Sequence, residues 1–432
     1  MRNRLVYEGA SQLEYEIRQI VQKAVQIQSL GIPITWENIG DPIQKNNTIP
    51  TWIKEIVSGL ASEDESYGYC HSKGIPETRK FLAERNNRGG GVQITADDIL
   101  FFNGLGDAIS KLYQYLPPTS RIIGPSPAYS THSSAEAAHA NSAPLTYLLD
   151  PTNNWYPDLD DLYNKIKYNP NIVGILIINP DNPTGMIYPH EYLEKMTEIA
   201  NEFDLLLIAD EIYSAITTTG SSTELLSRVV GDRPAISMKG ISKELPWPGS
   251  RCGWMEFYNR DKDVQFDRFC SALENAKMVE VCSTTLPQKA IPAIFTDARY
   301  EEYIRKKNVS IARRGEILNQ LFSGMKEVYF SPTKGAFYNT IIFNPEYLKG
   351  PMKLNVQNPW AKALAESWVT RDMPADRRFV YYLLAATGIC VVPLSSFQSD
   401  LSGFRVTLLE EDEETFIQTF RTIKNAILEF VG

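Results

Sequence analysis

Short, uninterrupted apolar runs of strand length recur along the first half of the chain: "DILFFN" at 98–103, "SRIIGP" at 120–125, "NIVGILIIN" at 171–179 and "DLLLIAD" at 204–210. Between them lie segments whose apolar residues recur at helical spacing, such as "DAISKLYQYL" and "PHEYLEKMTEIANEF". Strands that are apolar at every position are buried on both faces. Their alternation with amphipathic helices predicts an α/β fold, with a mostly parallel central sheet covered by helices. In such sheets ligands bind beyond the carboxyl ends of the strands. "NGLGD", "SPAY", "NPDNPTG" and "ADEIY" each stand at such an end, so four unusual turns fall on one edge and can share one pocket.

After about residue 310 the pattern changes to a long charged helix ("YEEYIRKKNVSIARRGEILNQLFSGM"), a "GAFYNTIIF" strand and a closing strand plus helix, "GFRVTLLEEDEETFIQTFRTIKNAILEF". This predicts a smaller α+β domain. The first 50 residues are too few for a domain of their own and are expected to join it. The expected division is therefore a large domain over 51–310 and a small domain built from 1–50 and 311–432. The longest uncharged apolar stretch, "FVYYLLAATGICVVPL" at 379–394, is shorter than a membrane span and is broken by Gly388 and Pro393. It reads as a helix end followed by a buried strand.

Composition narrows the function. With 432 residues, 43% hydrophobic and 22% charged, the chain can build a substantial core. A net charge of −9 and the lack of a basic block argue against nucleic acid or an anionic membrane as partner. The N-terminal "MRNRLVYEGASQLEYEIRQIV" carries acidic residues and lacks the apolar core of a signal peptide. The five cysteines (70, 252, 270, 282 and 390) never pair as CxxC, which fits a reducing cytoplasm. The four histidines (71, 132, 139 and 190) show no ligand spacing, so no metal is expected.

The chemistry begins in "GISKELPWPGSRCGW", 240–254. Lys243 is embedded among glycine, proline and tryptophan rather than polar loop residues, and Arg251 follows eight residues later. A partly desolvated lysine near other cations has a lowered pKa and can act as a nucleophile, and an aldehyde cofactor is its commonest target. Pyridoxal 5′-phosphate would then need a phosphate cup, an acid on its ring nitrogen and a flat partner for its ring.

These features together resemble the class I/II aminotransferases of the fold-type I pyridoxal-phosphate enzymes, the aspartate aminotransferase superfamily. The resemblance spans nearly the whole chain, from "NIGDP" to "GFRV", with "YCHSKG", "NGLGDAI", "PAYSTH", "NPDNPTG", "ADEIY", "SKELPWPGSRCGW" and "GAFY" in family order between them. It implies a Schiff-base lysine at Lys243 and a carboxylate for the ring nitrogen at Asp210. It implies two donors to the ring's 3′-oxygen, Tyr213 and Asn182, while Asn179 and Pro180 look structural. It implies Tyr129 at the ring-stacking position and His132 as the partner that backs up Asp210. Gly104, Leu105, Gly106 and Arg251 would bind the phosphate at a helix N-terminus. Tyr69 would reach the phosphate of a neighbouring subunit, with Tyr67 as the fallback, which implies a homodimer with shared active sites. Arg405 would clamp the substrate carboxylate, and Gly40 would lie in the segment that closes over the substrate.

The sequence departs from the family in places. A dinucleotide GxGxxG loop is discounted because Ile109 stands where the third glycine should be. Where many members have Ser or Thr in the phosphate cup, this chain has Leu105, Gly106 and Gly240, so backbone amides are expected to dominate, helped by Ser242 or Ser237. Leu394 follows Pro393 where the family usually has Gly, and either narrows the pocket or adjusts a turn. The implied activity is transamination between an amino acid and a 2-oxo acid by a ping-pong mechanism. A C–S β-lyase or an amino acid decarboxylase would use the same cofactor contacts. A non-enzymatic pyridoxal-phosphate sensor is disfavoured, because it would carry a basic DNA-binding domain ahead of this fold.

Overall fold

The computed structural model describes residues 5–13, 16–218 and 220–432. Its strands are β1 (Thr35–Trp36), β2 (Ile99–Phe102), β3 (Arg121–Ser126), β4 (Thr146–Asp150), β5 (Tyr156–Pro157), β6 (Ile172–Ile178) and β7 (Leu206–Asp210). They continue with β8 (Ala235–Gly240), β9 (Gly253–Tyr258), β10 (Val328–Phe330), β11 (Tyr338–Phe343), β12 (Ile389–Cys390), β13 (Val392–Pro393) and β14 (Gly403–Thr407). Eight of them form one sheet in the order β2-β9-β8-β7-β6-β3-β4-β5. Neighbours from β8 to β4 run parallel, while β9 and β5 run against them.

The continuous apolar runs are explained by burial on two faces. Along β6 and β7, Ile175, Ile177, Leu207 and Ala209 enter one core cluster. Leu176, Ile178 and Ile208 alternate with them and enter another. That period of two leaves no solvent face for a polar residue. Helices Leu105–Gln114 and Val264–Glu280 cover the second face.

A second, antiparallel sheet has the order β10-β11-β14-β13, with Arg405 opposite both Thr340 and Val392. Its core takes Ile20, Ala24 and Ile27 from helix Glu16–Gln28, and β1 pairs with β12. The early segment thus packs with the end of the chain. Helix Tyr300–Phe322 runs across residue 310, giving Tyr300 to the first core and Ile311, Leu318 and Phe322 to the second. We propose the large and small domains on this basis, joined through that helix; residues 1–4, 14 and 15 lie outside the described part of the N-terminal segment. The apolar stretch 379–394 is the end of helix Ala375–Thr387, stopped at Gly388 (φ +74°), followed by β12. Among the described residues no helix is long and apolar enough to cross a membrane.

Candidate active site

The carboxyl ends of β2, β3, β6, β7 and β8, and the start of the reversed β9, meet on one edge of the large sheet. There a cavity of about 660 Å³ is lined by Leu105, Gly106, Tyr129, Asn182, Asp210, Tyr213, Lys243, Arg251 and Arg405. They arrive from the end of β7, from the segments after β2, β3, β6, β7 and β8 and from β14, and Gly40 closes the cavity from the N-terminal segment.

Asp210 is the last residue of β7 and only 4% exposed. Its Oδ1 accepts from the Ile212 amide at 3.1 Å, and its Oδ2 lies 3.0 Å from His132 Nε2. His132 Nδ1 has no partner among the described residues, so the ring proton belongs on Nε2, where it donates to the carboxylate. Tyr129, at the start of helix Ser130–Ala140, sets its ring edge-on to His132 at 6.3 Å between centroids.

The "NPDNPTG" turn resolves into separate tasks. Asn179 precedes a cis peptide to Pro180 and bridges two distant segments, accepting from the Tyr188 amide at 3.0 Å and donating to the Glu224 carbonyl at 3.1 Å. Asp181, wholly buried, accepts from the Thr184 amide at 3.0 Å. Burial pushes its carboxyl up to about 7, and the Asp210 charge adds to that against the two Thr184 bonds. Gly185 has φ +74°, and a Cβ there would lie 2.1 Å from the Tyr338 carbonyl. Asn182 alone faces the cavity, and its Oδ1 accepts from Arg405 Nη1 at 3.1 Å. That leaves its amide nitrogen as a donor.

Arg405, 3% exposed, also donates from Nη2 to the Asn38 carbonyl at 2.6 Å and lies over the Tyr338 ring at 4.4 Å. The Tyr338 hydroxyl shares a 3.0 Å hydrogen bond with that of Tyr213. Tyr213 is buried, which pushes its phenol well above the ordinary value. Behind this group the Asn38 segment is tied down by an ion pair. Glu37 accepts from Lys45 Nζ at 2.8 Å and from the Thr407 hydroxyl at 2.8 Å.

Lys243 reaches into the cavity and donates from Nζ to the Gly40 carbonyl at 2.7 Å. Burial lowers its amine to about 8; Asp41 and Asp210 oppose the shift, and the Arg405 and Arg251 cations add to it. Opposite, Gly104 (φ +82°) begins helix Leu105–Gln114, and its carbonyl accepts from the Asp107 amide at 3.1 Å. The free N–H groups of that first turn point out of the helix end. Arg251, itself in the left-handed region at φ +49°, packs so closely that a Cβ on Gly104 would lie 2.5 Å from its Nη2. Gly104 therefore contributes space rather than a lining surface.

Other expected residues fall elsewhere. Ser237 is wholly buried in β8 and donates to Glu211, so of the two serines only Ser242 lines the cavity. Leu394 is fully buried in the first core, where it shapes a turn rather than the pocket. Tyr69 stands 86% exposed, away from its own chain's cavity. The Tyr67 hydroxyl is already committed to the Ala61 carbonyl at 2.7 Å. Tyr338, Asn38 and Asp41 were missed as individual residues. Their signal was present, because Tyr338 ends "GAFY" and the other two flank Gly40 in "NIGDP".

The family of aminotransferase class I and II matches residues 36–417. A relative named as an uncharacterized aminotransferase from Methanocaldococcus jannaschii is 52% identical over 431 residues, covering 100% of both chains. The glutamate-pyruvate aminotransferase AlaA of Escherichia coli is 31% identical over 289 residues, 66% of this chain and 70% of that one. Among solved structures, the alanine aminotransferase of Pyrococcus furiosus superposes with a TM-score of 0.83 at 26% identity, covering 97% of this chain and 99% of that one.

Proposed function

The chain belongs to the class I and II aminotransferases, and on that premise we propose a ping-pong transamination centred on Lys243. One observation carries the reading: an amine, a buried carboxylate and two guanidinium groups, from Lys243, Asp210, Arg251 and Arg405, open on a single cavity.

The donor set fits pyridoxal 5′-phosphate. Arg251 and the helix end after Gly104 suit a phosphate, because fork and dipole both favour a dianion. Asp210 would keep a proton on the ring nitrogen, with His132 holding the carboxylate in place. Asn182 and Tyr213 would donate to the ring's 3′-oxygen, and Tyr129 would pack on the ring face. When bound, the cofactor supplies the electron sink that lets Cα lose a proton. Arg405 would orient the substrate through its α-carboxylate, using the fork now held by Asn182 and Asn38. Lys243, with an amine lowered to about 8, is the residue that would attach the cofactor and then move the Cα proton. Gly40 and its neighbours would exclude water above it.

Tyr69, exposed and free of the fold's own needs, would complete the cofactor site of a second subunit in a homodimer. Scattered cysteines support a cytoplasmic setting. The names of the relatives support alanine with pyruvate, and glutamate with 2-oxoglutarate, as the first substrate pairs to test. A screen of amino donors against 2-oxo-acid acceptors tests this. The expected result is exchange that requires both partners, with highest kcat/KM for alanine and 2-oxoglutarate. Ammonia, or pyruvate beyond one equivalent per active site, released continuously without an acceptor would overturn transamination in favour of a lyase.

A further inference from the structure

Beneath the helix end that faces Arg251 lies an ion cluster none of whose members lines the cavity. Its centre is Lys277 on helix Val264–Glu280, 0% exposed. Lys277 Nζ donates to Glu280 Oε1 at 2.7 Å and to Asp107 Oδ2 at 3.4 Å, and lies 5.5 Å from the centre of the Phe102 ring. Lys111 adds a second cation, 3.3 Å from Asp107 and 3.1 Å from Glu280.

We propose that Lys277 is a positioning residue for the phosphate end of the cofactor site, a proposal that rests on the reading above. Asp107 sits in the first turn of the helix whose N-terminus would hold the phosphate, and Glu280 packs behind the same turn. Two carboxylates so close to a dianion repel it unless they are neutralised. Because Lys277 is sealed from water, bulk salt cannot replace it. The same carboxylates also set the turn. Asp107 Oδ2 accepts from the Asn103 amide at 3.0 Å, and Glu280 Oε1 accepts from Asn103 Nδ2 at 2.6 Å. Asn103 in turn accepts at its carbonyl from Arg251 Nη2 at 3.3 Å, and at Oδ1 from the Thr284 amide at 3.1 Å. Lys277 thus acts on both halves of the cup, through charge and through Asn103.

The test compares equilibrium binding of pyridoxal 5′-phosphate and of pyridoxal, which lacks the phosphate, to cofactor-free enzyme. Lys277→Met should weaken binding of the phosphate ester about tenfold or more, as expected for an uncompensated buried charge, and pyridoxal less than about threefold. Inorganic phosphate should raise the melting temperature of the wild type and raise that of Lys277→Met less. The charge-balanced double variant Lys277→Met/Glu280→Gln should regain most of the preference for the phosphate ester, and it carries the test if the single variant does not fold. Equal weakening for both ligands, unchanged phosphate-ester binding, or a folded double variant that has lost the preference would overturn the proposal. Failure of the cofactor reading has another signature: the wild type itself would bind neither pyridoxal phosphate nor phosphate, and both ideas fall together.

Discussion

The amine of Lys243 donates a hydrogen bond to the carbonyl of Gly40, 2.7 Å away and 203 residues earlier in the chain. The contact joins the loop after β8 to the N-terminal segment that packs with the small sheet. It means the Lys243 amine and the Gly40 segment above it are placed by different parts of the fold.

The first prediction concerns that amine. In cofactor-free protein Lys243 should deprotonate near pH 8, so its labelling by an amine reagent should level off by about pH 9, while exposed lysines continue to gain reactivity beyond pH 10. The sign for stability follows. Between about 8 and the ordinary lysine value the unfolded chain binds more protons than the native one, so this residue's contribution to stability rises with pH across that window. Lys243→Ala should lose the label, that rise and all turnover. Peptide mapping after borohydride reduction of the loaded enzyme checks the attachment, and a label on another lysine would refute it.

Asp181→Asn should stabilise the protein most at pH 8, clearly less at pH 5 and least at pH 4. The native carboxyl is raised to about 7 by burial, so its folded pKa exceeds the unfolded one. Stability from this group is then full below the ordinary carboxyl value, is lost progressively as pH rises above it, and the loss is complete once pH passes about 7. Asparagine keeps the acceptor that holds Thr184 and carries no charge to bury. Melting temperatures of both proteins across pH 4–8 decide the matter, and a gain at pH 5 equal to that at pH 8 would mean the carboxyl does not titrate there.

Asp210→Ala should cut kcat by on the order of 10²-fold or more with a far smaller change in melting temperature. His132→Ala, which removes one hydrogen bond to a charged group at 3.0 Å, should cost about tenfold. Equal losses in a melt and an assay would assign the pair a structural role instead.

Arg405→Ala should raise KM on the order of a hundredfold for every amino acid accepted, because one fork would serve a group common to all of them. Arg405→Lys should not restore it, since an ammonium cannot match a carboxylate with two parallel bonds. Steady-state kinetics with three or more donors check this, and an unchanged KM would remove Arg405 from the substrate site.

Gly40→Ala should damage activity through one contact. A Cβ at Gly40 would lie 1.9 Å from the Tyr338 hydroxyl, and overpacking of this kind costs about 1–3 kcal/mol. Tyr338→Phe removes that oxygen and should partly rescue the Gly40→Ala variant while slightly harming the wild type. A double variant no better than Gly40→Ala would show that some other contact requires the glycine.

Much of the fold was legible because β-strand and helix periods are local. Ile175 and Leu176 point to opposite faces of the sheet by the geometry of one strand, so the run "IVGILII" announces two covered faces without reference to any neighbour. The turns were legible for the same reason, as Pro, Gly and Asn mark them residue by residue. Ser237 misled because strand periodicity does not say which buried residue points to a cavity and which to a carboxylate such as Glu211. Lys277 left no mark in the sequence, and Tyr338 was marked only as the end of "GAFY". Their roles depend on partners far away in the chain, Tyr213 and Arg405 for one and Asp107 for the other.

Sequence alone determined the alternation of elements and the edge on which chemistry had to sit, because backbone sterics and apolar periodicity act over a few residues; the candidate groups on that edge were named by resemblance to a family. Tertiary structure decided which of those groups face each other. The Lys243 amine near 8, the hydrogen bond between His132 and Asp210, and the Arg405 fork held by Asn182 and Asn38 all arise from desolvation and Coulomb forces. Those forces depend on distance in space, which only the folded chain sets.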